Sequence, residues 1–184
     1  RLGRIQSART ESSLPHGDIQ TRFGAVGLES HTIRSEEMKA GSGTAGEGAE
    51  TIQIDVVLGR KSGAMGDAWA YQLTYPRHGY EALVTILEPN LTVRPSTLIV
   101  PVNELCDLRQ ANMIYGPVQS AVAMAVIDKV SEGTIPAELA YSHLMFAQAT
   151  VHPQALDRRL LHRRSYEAAS KAIENAFSEV IKDA

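Results

Sequence analysis

The sequence is poor in the residues that build disulfides and metal sites. Cys106 is the single cysteine among 184 residues, so no internal disulfide can form, which fits a reducing compartment. Six histidines are present, but none lies in an HxH or HExxH pattern that would hold a metal. The sequence therefore predicts no metal site. Cys106 has no adjacent histidine and is interpreted as a buried structural thiol rather than a nucleophile.

Long apolar runs, strong net charge and nucleotide-binding motifs are also missing. No apolar stretch approaches the roughly 18 residues of a membrane span, and no signal-peptide pattern is present. The formal net charge of −3 predicts no strongly basic surface that would bind nucleic acid or an anionic membrane. Without a GxGxxG or P-loop motif, no nucleotide cofactor is indicated. We expect a soluble cytoplasmic protein with neither nucleic acid nor membrane as a partner.

Composition divides the chain near residue 49. Residues 1–49 are dominated by Ser, Gly, Thr, Arg and Glu, and they include the stretch GSGTAGEG at 41–48. This composition predicts a flexible N-terminal arm, with an arm that orders against a neighbouring subunit as the alternative. Met38 is an alternative start for the compact domain. Residues 50–184 are predicted to form that domain, because their apolar content suffices for one core.

Strands and helices interleave in the predicted domain. The helix over 116–133 is apolar nearly all round, with Pro117 in its first turn and Gly133 just past its end, so it is expected to be buried. Pro101 indicates a sheet edge or a strand end. The class is α/β or α+β, with about four strands packed against helices and a long C-terminal helix. Alternation and turn residues predict strands over 51–58, 82–87, 97–102 and 144–151, and helices over 63–75, 116–133, from 136, and over 154–182.

Two polar features interrupt these apolar elements. In ETIQIDVVLG (50–59), Gln53 and Asp55 share the face of a strand whose other face is apolar. Gln119 falls in the predicted first turn of the buried helix, where free backbone N–H groups can meet a polar ligand. Taken alone, each feature is explained as well by an exposed strand face and an ordinary first-turn glutamine.

The last helix is locally basic. Arg158, Arg159, Arg163 and Arg164 follow one another closely, with Asp157 and Glu167 near them in the sequence. We interpret this cluster as a solvated or ion-paired face rather than a ligand site, because the acidic residues offer partners for the arginines.

Several longer stretches resemble one family. IDVVLG (54–59), HGYEALVTILEPNL (78–91), RPSTL (94–98), SYEAASKAI (165–173) and above all LRQANMIYGPVQSAVAMAVIDKVSEGTIP (108–136) are similar to the formaldehyde-activating enzymes. The resemblance covers roughly residues 40–180 in order, and the run RQANMIYGPVQSAVAMAV carries most of its specificity. The N-terminal arm lies outside it.

The resemblance implies a fold, a reaction and a ligand. That family condenses formaldehyde with tetrahydromethanopterin, giving methylene-tetrahydromethanopterin and water, as part of one-carbon metabolism in methylotrophs and methanogens. Its members are homopentamers of an α/β fold, with the pterin in a cleft between subunits. Carried over by alignment, Asp55 and Gln119 take the places of the pterin-binding aspartate and glutamine, and Val84 that of a ligand-contacting leucine.

Three other site positions depart from the family pattern. Gln53 stands where the family has a histidine proposed as the general acid, Val102 where it has a lysine, and Glu104 where it has a threonine. An imidazole can deliver a proton near neutral pH, with a typical gain of about 10²–10⁴-fold, whereas a carboxamide cannot. The mapped site is thus Gln53 at the catalytic position and Asp55, Val84, Glu104 and Gln119 at pterin-binding positions. Glu104 would replace the acid only if it were buried.

Two functions of different class follow from this pattern. The first is a carbon–nitrogen lyase that catalyses the family reaction with weakened or altered activity, because Asp55 and Gln119 are retained. The alternative is a non-catalytic paralogue that binds, senses or assembles around a pterin or one-carbon compound, because the histidine and the lysine are replaced. The sequence leaves both open.

Overall fold

A five-stranded sheet and a long helix dominate the computed structural model, which describes residues 38–178. Most of the predicted N-terminal arm, residues 1–37, lies outside the described residues, as do residues 179–184. The strands are β1 (Lys39–Ala45), β2 (Ile52–Arg60), β3 (Leu83–Val84), β4 (Ile86–Glu88), β5 (Leu91–Thr92), β6 (Ser96–Pro101) and β7 (His143–Val151). The helices are α1 (Ala64–Thr74), α2 (Leu108–Met113), α3 (Gln119–Ser131), α4 (Leu139–Ser142) and α5 (Arg158–Ser178).

The main sheet has the strand order β1-β2-β7-β6-β3, and β4 and β5 form a separate two-stranded sheet. All neighbours in the main sheet are antiparallel except β6 and β7, which are parallel. The mixed α+β class and the long C-terminal helix are therefore confirmed, with one main-sheet strand more than expected. Pro101 is the last residue of β6, so the predicted strand end is also confirmed.

The two faces of the sheet differ sharply in chemistry. On the inner face of β2, Ile52, Ile54, Val56 and Leu58 are almost fully buried, and the inner face of β1 contacts α5. Helix α3 packs against α5 on this same side. On the outer face, α1 covers part of the sheet, and its Trp69 ring lies 5.9 Å from the ring of Phe146 on β7. Burial of the inner face by two helices provides the hydrophobic core.

The segment 41–48, predicted to be flexible, instead supplies most of strand β1. Its glycines are required by the packing of α5: a Cβ on Gly43 would overlap the backbone at Ala168 and Ala172, and one on Gly41 would overlap the backbone at Ala172 and Ala176. Composition misled here because glycine usually signals a loop, whereas in a strand it also marks close approach of another backbone. The Asn175 amide additionally donates to Ser42 O at 2.7 Å.

The central helix begins earlier than predicted. Residues 108–131 run as α2, a π-helical turn at Ile114–Val118, and α3, so Pro117 lies inside the helix and not in its first turn. Proline lacks an N–H and disrupts regular α-helical bonding, and this disruption coincides with the wider π-turn. The predicted end is right, because Gly133 has φ +81° and its N–H bonds to Val130 O at 3.1 Å.

Two other boundaries differ from the prediction. The strand expected over 82–87 is divided between β3 and β4, with the buried Thr85 bonded through its N–H to Thr97 O at 2.8 Å. Helix α5 begins at Arg158, not at 154, because Asp157 caps it by accepting from the N–H groups of Arg159 and Leu160, both at 2.9 Å. Leu156 therefore precedes the helix and is 65% exposed.

Candidate functional site on the outer face of the sheet

The two polar residues singled out on β2 form a hydrogen-bonded pair. Gln53 and Asp55 lie on the outer face, and Gln53 Nε2 donates to Asp55 Oδ1 at 3.1 Å and to Oδ2 at 3.0 Å. Gln53 is exposed and Asp55 is half-buried. The amide thus fixes the orientation of the carboxylate, while the carboxylate keeps further lone pairs for a ligand and Gln53 Oε1 remains an acceptor.

The neighbouring strands extend this polar surface. In the register of the sheet, Asp55 lies opposite Ser42 on β1 and Gln148 on β7, and Gln53 lies opposite Thr44 and Thr150. Cross-strand partners share a face, so these side chains surround the Gln53–Asp55 pair. Gln148 is exposed and forms no side-chain hydrogen bond within residues 38–178.

Gln148 and Thr150 are site candidates that the sequence analysis missed. A signal was present, because both are polar and stand two residues apart in an otherwise apolar strand, as Gln53 and Asp55 do. Alternation alone shows only that such residues share a face of their own strand. Which strand lies beside them is set by the register, which the sequence does not give.

A groove of about 590 Å³ opens beside the pair, between α1 and the outer face. Its volume is in the range of small-molecule sites, and its lining is mainly apolar with a few polar groups. Gln148 contributes to this lining, so the groove is continuous with the polar surface around Asp55. The walls include Met65 and Tyr71 from α1 and Val57 and Phe146 from the sheet.

Val84 and Val102 lie elsewhere around the same sheet. Val84 pairs with Leu98, which pairs with Phe146, so Val84 lies on the outer face of the sheet. Its strand is three strands from β2, and at the usual strand spacing the two strands are about 14 Å apart. Val102 directly follows β6 and is 45% exposed, and its N–H bonds to Ala149 O at 3.0 Å. Neither side chain supplies a charge or a proton donor.

Glu104 occupies a loop rather than the sheet. It is exposed, lies against Gly79, and lines a small cavity of about 30 Å³ with Arg109 and His152. The burial that would let Glu104 replace the missing acid is therefore not present in the protomer.

Cys106, two residues on, is exposed as well, and its Sγ lies 3.7 Å from Glu104 O, so the prediction of a buried thiol is wrong. Its place in a surface loop before α2 keeps it out of the core.

Gln119 is not next to Asp55 in the protomer. It lies on the inner side of the sheet in α3, is 7% exposed, and donates from Nε2 to Ile86 O at 2.6 Å. Its backbone N–H bonds to Ile114 O and Gly116 O, because the helix continues upstream. The expectation that first-turn N–H groups are free at Gln119 is thus wrong. Only another copy of the chain could bring a Gln119 side chain to the Asp55 surface.

Between residues 38 and 178, no three His, Cys, Asp or Glu side chains are grouped so that they could hold a metal ion. No helix in this range is long and apolar enough to span a membrane.

The structure is that of an α+β protein, with a mixed sheet and a pair of helices on its inner face. The polar pair on the outer face provides a surface suited to a small polar ligand. Comparison with known proteins then identifies the family. The model of the formaldehyde-activating enzyme (Fae) family matches residues 40–182. The chain belongs to this family, and the match begins at the second residue of strand β1.

Curated relatives support the same assignment. The chain is 38% identical over 140 residues to the bifunctional enzyme Fae/Hps of Methanococcoides burtonii, 40% over 137 residues to that of Methanothrix thermoacetophila, and 37% over 141 residues to that of Archaeoglobus fulgidus. These matches cover 76%, 74% and 77% of this chain. They span only 35%, 35% and 36% of the relatives, so the chain corresponds to about a third of each longer protein.

Proposed function

We propose that this protein condenses formaldehyde with tetrahydromethanopterin, giving methylene-tetrahydromethanopterin and water, at a reduced rate compared with a member that carries the family histidine. Membership of the family supports the reaction class. The observation that carries the proposal is the Gln53–Asp55 pair, which presents an oriented carboxylate on an open face of the sheet. The protein is proposed to work in the cytoplasm, without a metal or a nucleotide.

Asp55 is the group that we assign to pterin binding. The pyrimidine edge of a pterin offers adjacent N–H donors, and a carboxylate with two oxygens accepts such a pair well. Gln53 holds the carboxylate in one orientation before the ligand arrives, which reduces the ordering cost of binding. The groove beside Gln148 gives room for the rest of a flat ligand.

The reaction requires formaldehyde to add to an amine nitrogen of the pterin and the resulting hydroxyl to leave as water. Gln53 can orient that hydroxyl or a water molecule through Oε1, but an amide cannot supply the proton. Orientation of two reactants alone can contribute several kcal/mol to the lowering of the barrier. We therefore expect catalysis above the spontaneous reaction but about 10²–10⁴-fold below that of an enzyme with an imidazole at this position.

Gln119 and Val84 are assigned to the ligand site through a homo-oligomer. Gln119 is on the opposite side of the sheet from Asp55 within one protomer, so a shared site needs a neighbouring copy. Exposed apolar side chains support such an association: they include Leu83, Ile86, Leu87 and Leu91 around β3–β5. The resemblance makes a homopentamer the expected form.

The alternative function is binding without catalysis, in a sensing or assembly role for one-carbon metabolism. It is favoured by one observation: the side chain at the histidine position is an amide that directs its nitrogen to Asp55, and an amide cannot transfer a proton to a departing hydroxyl. In that case the surface would still bind a pterin but would leave the condensation rate unchanged.

Stopped-flow measurement of the condensation separates the two functions. Wild-type protein is compared with the Gln53→His/Val102→Lys double variant and with a Val102→Lys single variant as the matched control. The proposal expects a wild-type rate above background and a further gain of at least about tenfold when histidine is introduced. Pterin binding with a wild-type rate equal to background would support the non-catalytic alternative and overturn the proposal.

A further inference from the structure

A second, basic groove lies on the opposite side of the sheet from the Gln53–Asp55 pair, where the start of α5 meets the π-turn. This groove, of about 450 Å³, is lined by Gly116, Pro117, Ser120, Arg158, Arg159 and His162. The three α5 side chains are spaced so that they share one helix face. Two guanidinium groups, an imidazole and a hydroxyl therefore converge on an open space large enough for a small ligand.

Among the residues that the structure describes, the two arginines of this groove have no acidic partner. Two other arginines of the described chain form ion pairs: Arg164 pairs with Glu167 at 2.9 Å, and Arg109 with Asp107 at 3.7 Å. Neither Arg158 nor Arg159 forms an ion pair or a side-chain hydrogen bond between residues 38 and 178. Of the two interpretations of the basic cluster, the ion-paired one fits Arg164, and the solvated one fits Arg158 and Arg159, which are both exposed.

The nearby carboxylates are occupied by the backbone. Asp157 Oδ1 accepts from the N–H groups of Arg159 and Leu160, and Glu50 Oε1 accepts from those of Leu156 and Asp157 at 3.1 and 3.3 Å. Both acids therefore point to the start of α5 instead of neutralising the groove. Their charges offset part of the local positive potential, but the donors of both arginines remain available to a ligand.

The π-turn shapes the floor of the groove. Gly116 lies in this turn, and a Cβ there would come within 2.8 Å of Arg158 Nη2, so the absent side chain provides the space in which the guanidinium lies. Single π-turns inside α-helices are frequent at functional sites. Here the turn also places Ser120 one helical turn beyond Gly116, so that its hydroxyl faces the same opening.

We propose that this groove is a binding site for a phosphate group. A planar guanidinium can donate two parallel hydrogen bonds to phosphate oxygens, and a hydroxyl and an imidazole N–H add further donors. The phosphate is either free inorganic phosphate or the ester group of a larger metabolite. The groove and Asp55 lie on different faces of the sheet in the protomer, although Gln119, which is assigned to the pterin site, directly precedes Ser120. Phosphate binding is measured without a pterin, so its outcome does not decide the function proposed for Asp55.

Thermal unfolding in phosphate provides the test. The Tm of the full chain is measured across a series of sodium phosphate concentrations, with sodium chloride holding the ionic strength constant, and the rise in Tm gives an apparent Kd. Each variant is compared with its own Tm in chloride alone, so that a change in its basal stability does not affect the result. Ribose 5-phosphate is titrated in the same way as a probe for a phosphate ester.

Two variants change the site in different ways. Arg158→Gln/Arg159→Gln removes the charges, and Gly116→Ala retains every charge but displaces the Arg158 guanidinium. Arg158→Gln/Arg159→Gln is expected to weaken phosphate binding by at least about tenfold, as the loss of a charged hydrogen bond implies. Gly116→Ala is expected to weaken it by a smaller factor, because the end of the Arg158 side chain can move aside while it keeps its charge. Arg163→Gln/Arg164→Gln, with the same change of charge on the same helix but outside the groove, is expected to leave the Kd within about twofold.

The two ligand sources are distinguished by the ester. Tighter binding of ribose 5-phosphate than of phosphate assigns the site to a phosphorylated metabolite, and equal binding assigns it to the free ion. A wild-type Tm that responds to phosphate no more than to chloride would overturn the proposal. An equal loss of affinity in the Arg163→Gln/Arg164→Gln control would do the same, since it would reveal a general effect of charge.

Discussion

Replacing Gly43 with alanine tests whether the glycine-rich segment is structural or flexible. The added Cβ would overlap Ala168 O and Ala172 N of α5, and these obstructing atoms belong to a helix backbone that no side-chain rotation can move aside. Overpacking of this kind costs about 1–3 kcal/mol, and we expect the upper end of that range here. The alternative has the opposite sign, because Gly→Ala in an unconstrained segment stabilises by about 0.4–1 kcal/mol through the unfolded state.

Urea and thermal unfolding followed by circular dichroism measure this effect. For a chain of this size, 1 kcal/mol shifts Tm by roughly 2–4 °C, so a cost of about 3 kcal/mol should lower the Tm of Gly43→Ala by roughly 6–12 °C. Ser42→Ala is the matched control: its side chain is exposed on the other face of β1, and its effect should stay within about 0.5 kcal/mol. An unchanged or more stable Gly43→Ala protein would refute the packing of β1 against α5.

Three further predictions concern helix capping, pH and assembly. Asp157→Ala removes the acceptor for two N–H groups of α5 and should lower the free energy of unfolding, measured with a chemical denaturant, by about 0.5–2 kcal/mol. Asp67→Ala is the control, because the Asp67 side chain forms no capping bond on α1, and it should not cause a loss of this size. Burial, together with the charges of Arg60 and Lys39, holds the pKa of His143 below its ordinary value of 6.5. As pH falls below 6.5 the unfolded chain takes up this proton first, so stability falls between 6.5 and the lower folded pKa, and His143→Asn should flatten that part of the pH profile. Light scattering after gel filtration should give the wild-type protein a mass that is a multiple of the 20.0 kDa protomer. Leu91→Glu, which places a charge at an apolar position that is 50% exposed, should lower that mass. A monomeric wild-type protein would contradict the proposed shared site.

The sequence predicts those features that depend on local periodicity. Alternation over 51–58 correctly separated an apolar face from the face with Gln53 and Asp55, because successive side chains of a strand point in opposite directions. Gly133 correctly marked a helix end, because a left-handed residue there costs glycine little. Both features involve residues within one turn or one strand.

Features that depend on distant residues escaped prediction. The glycines of β1 acquire their role only when α5, more than 120 residues later, packs on them. Gln148 joins the candidate site only through the register of β7 against β2. Pro117 was predicted to lie in the first turn of a helix because proline is favoured there, whereas the structure places it inside a π-turn that has no simple sequence pattern.

We propose that Asp55 on the outer face of the sheet holds the pterin, and calorimetric titration with tetrahydromethanopterin is the direct test. Asp55→Asn removes the charge with little change of shape, and Glu138→Gln, at the start of α4, removes one charge at the far end of β7. We expect Asp55→Asn to weaken binding by about tenfold or more, the loss expected for a charged hydrogen bond, while Glu138→Gln leaves it unchanged. Equal pterin affinity in wild-type and Asp55→Asn protein would contradict the account.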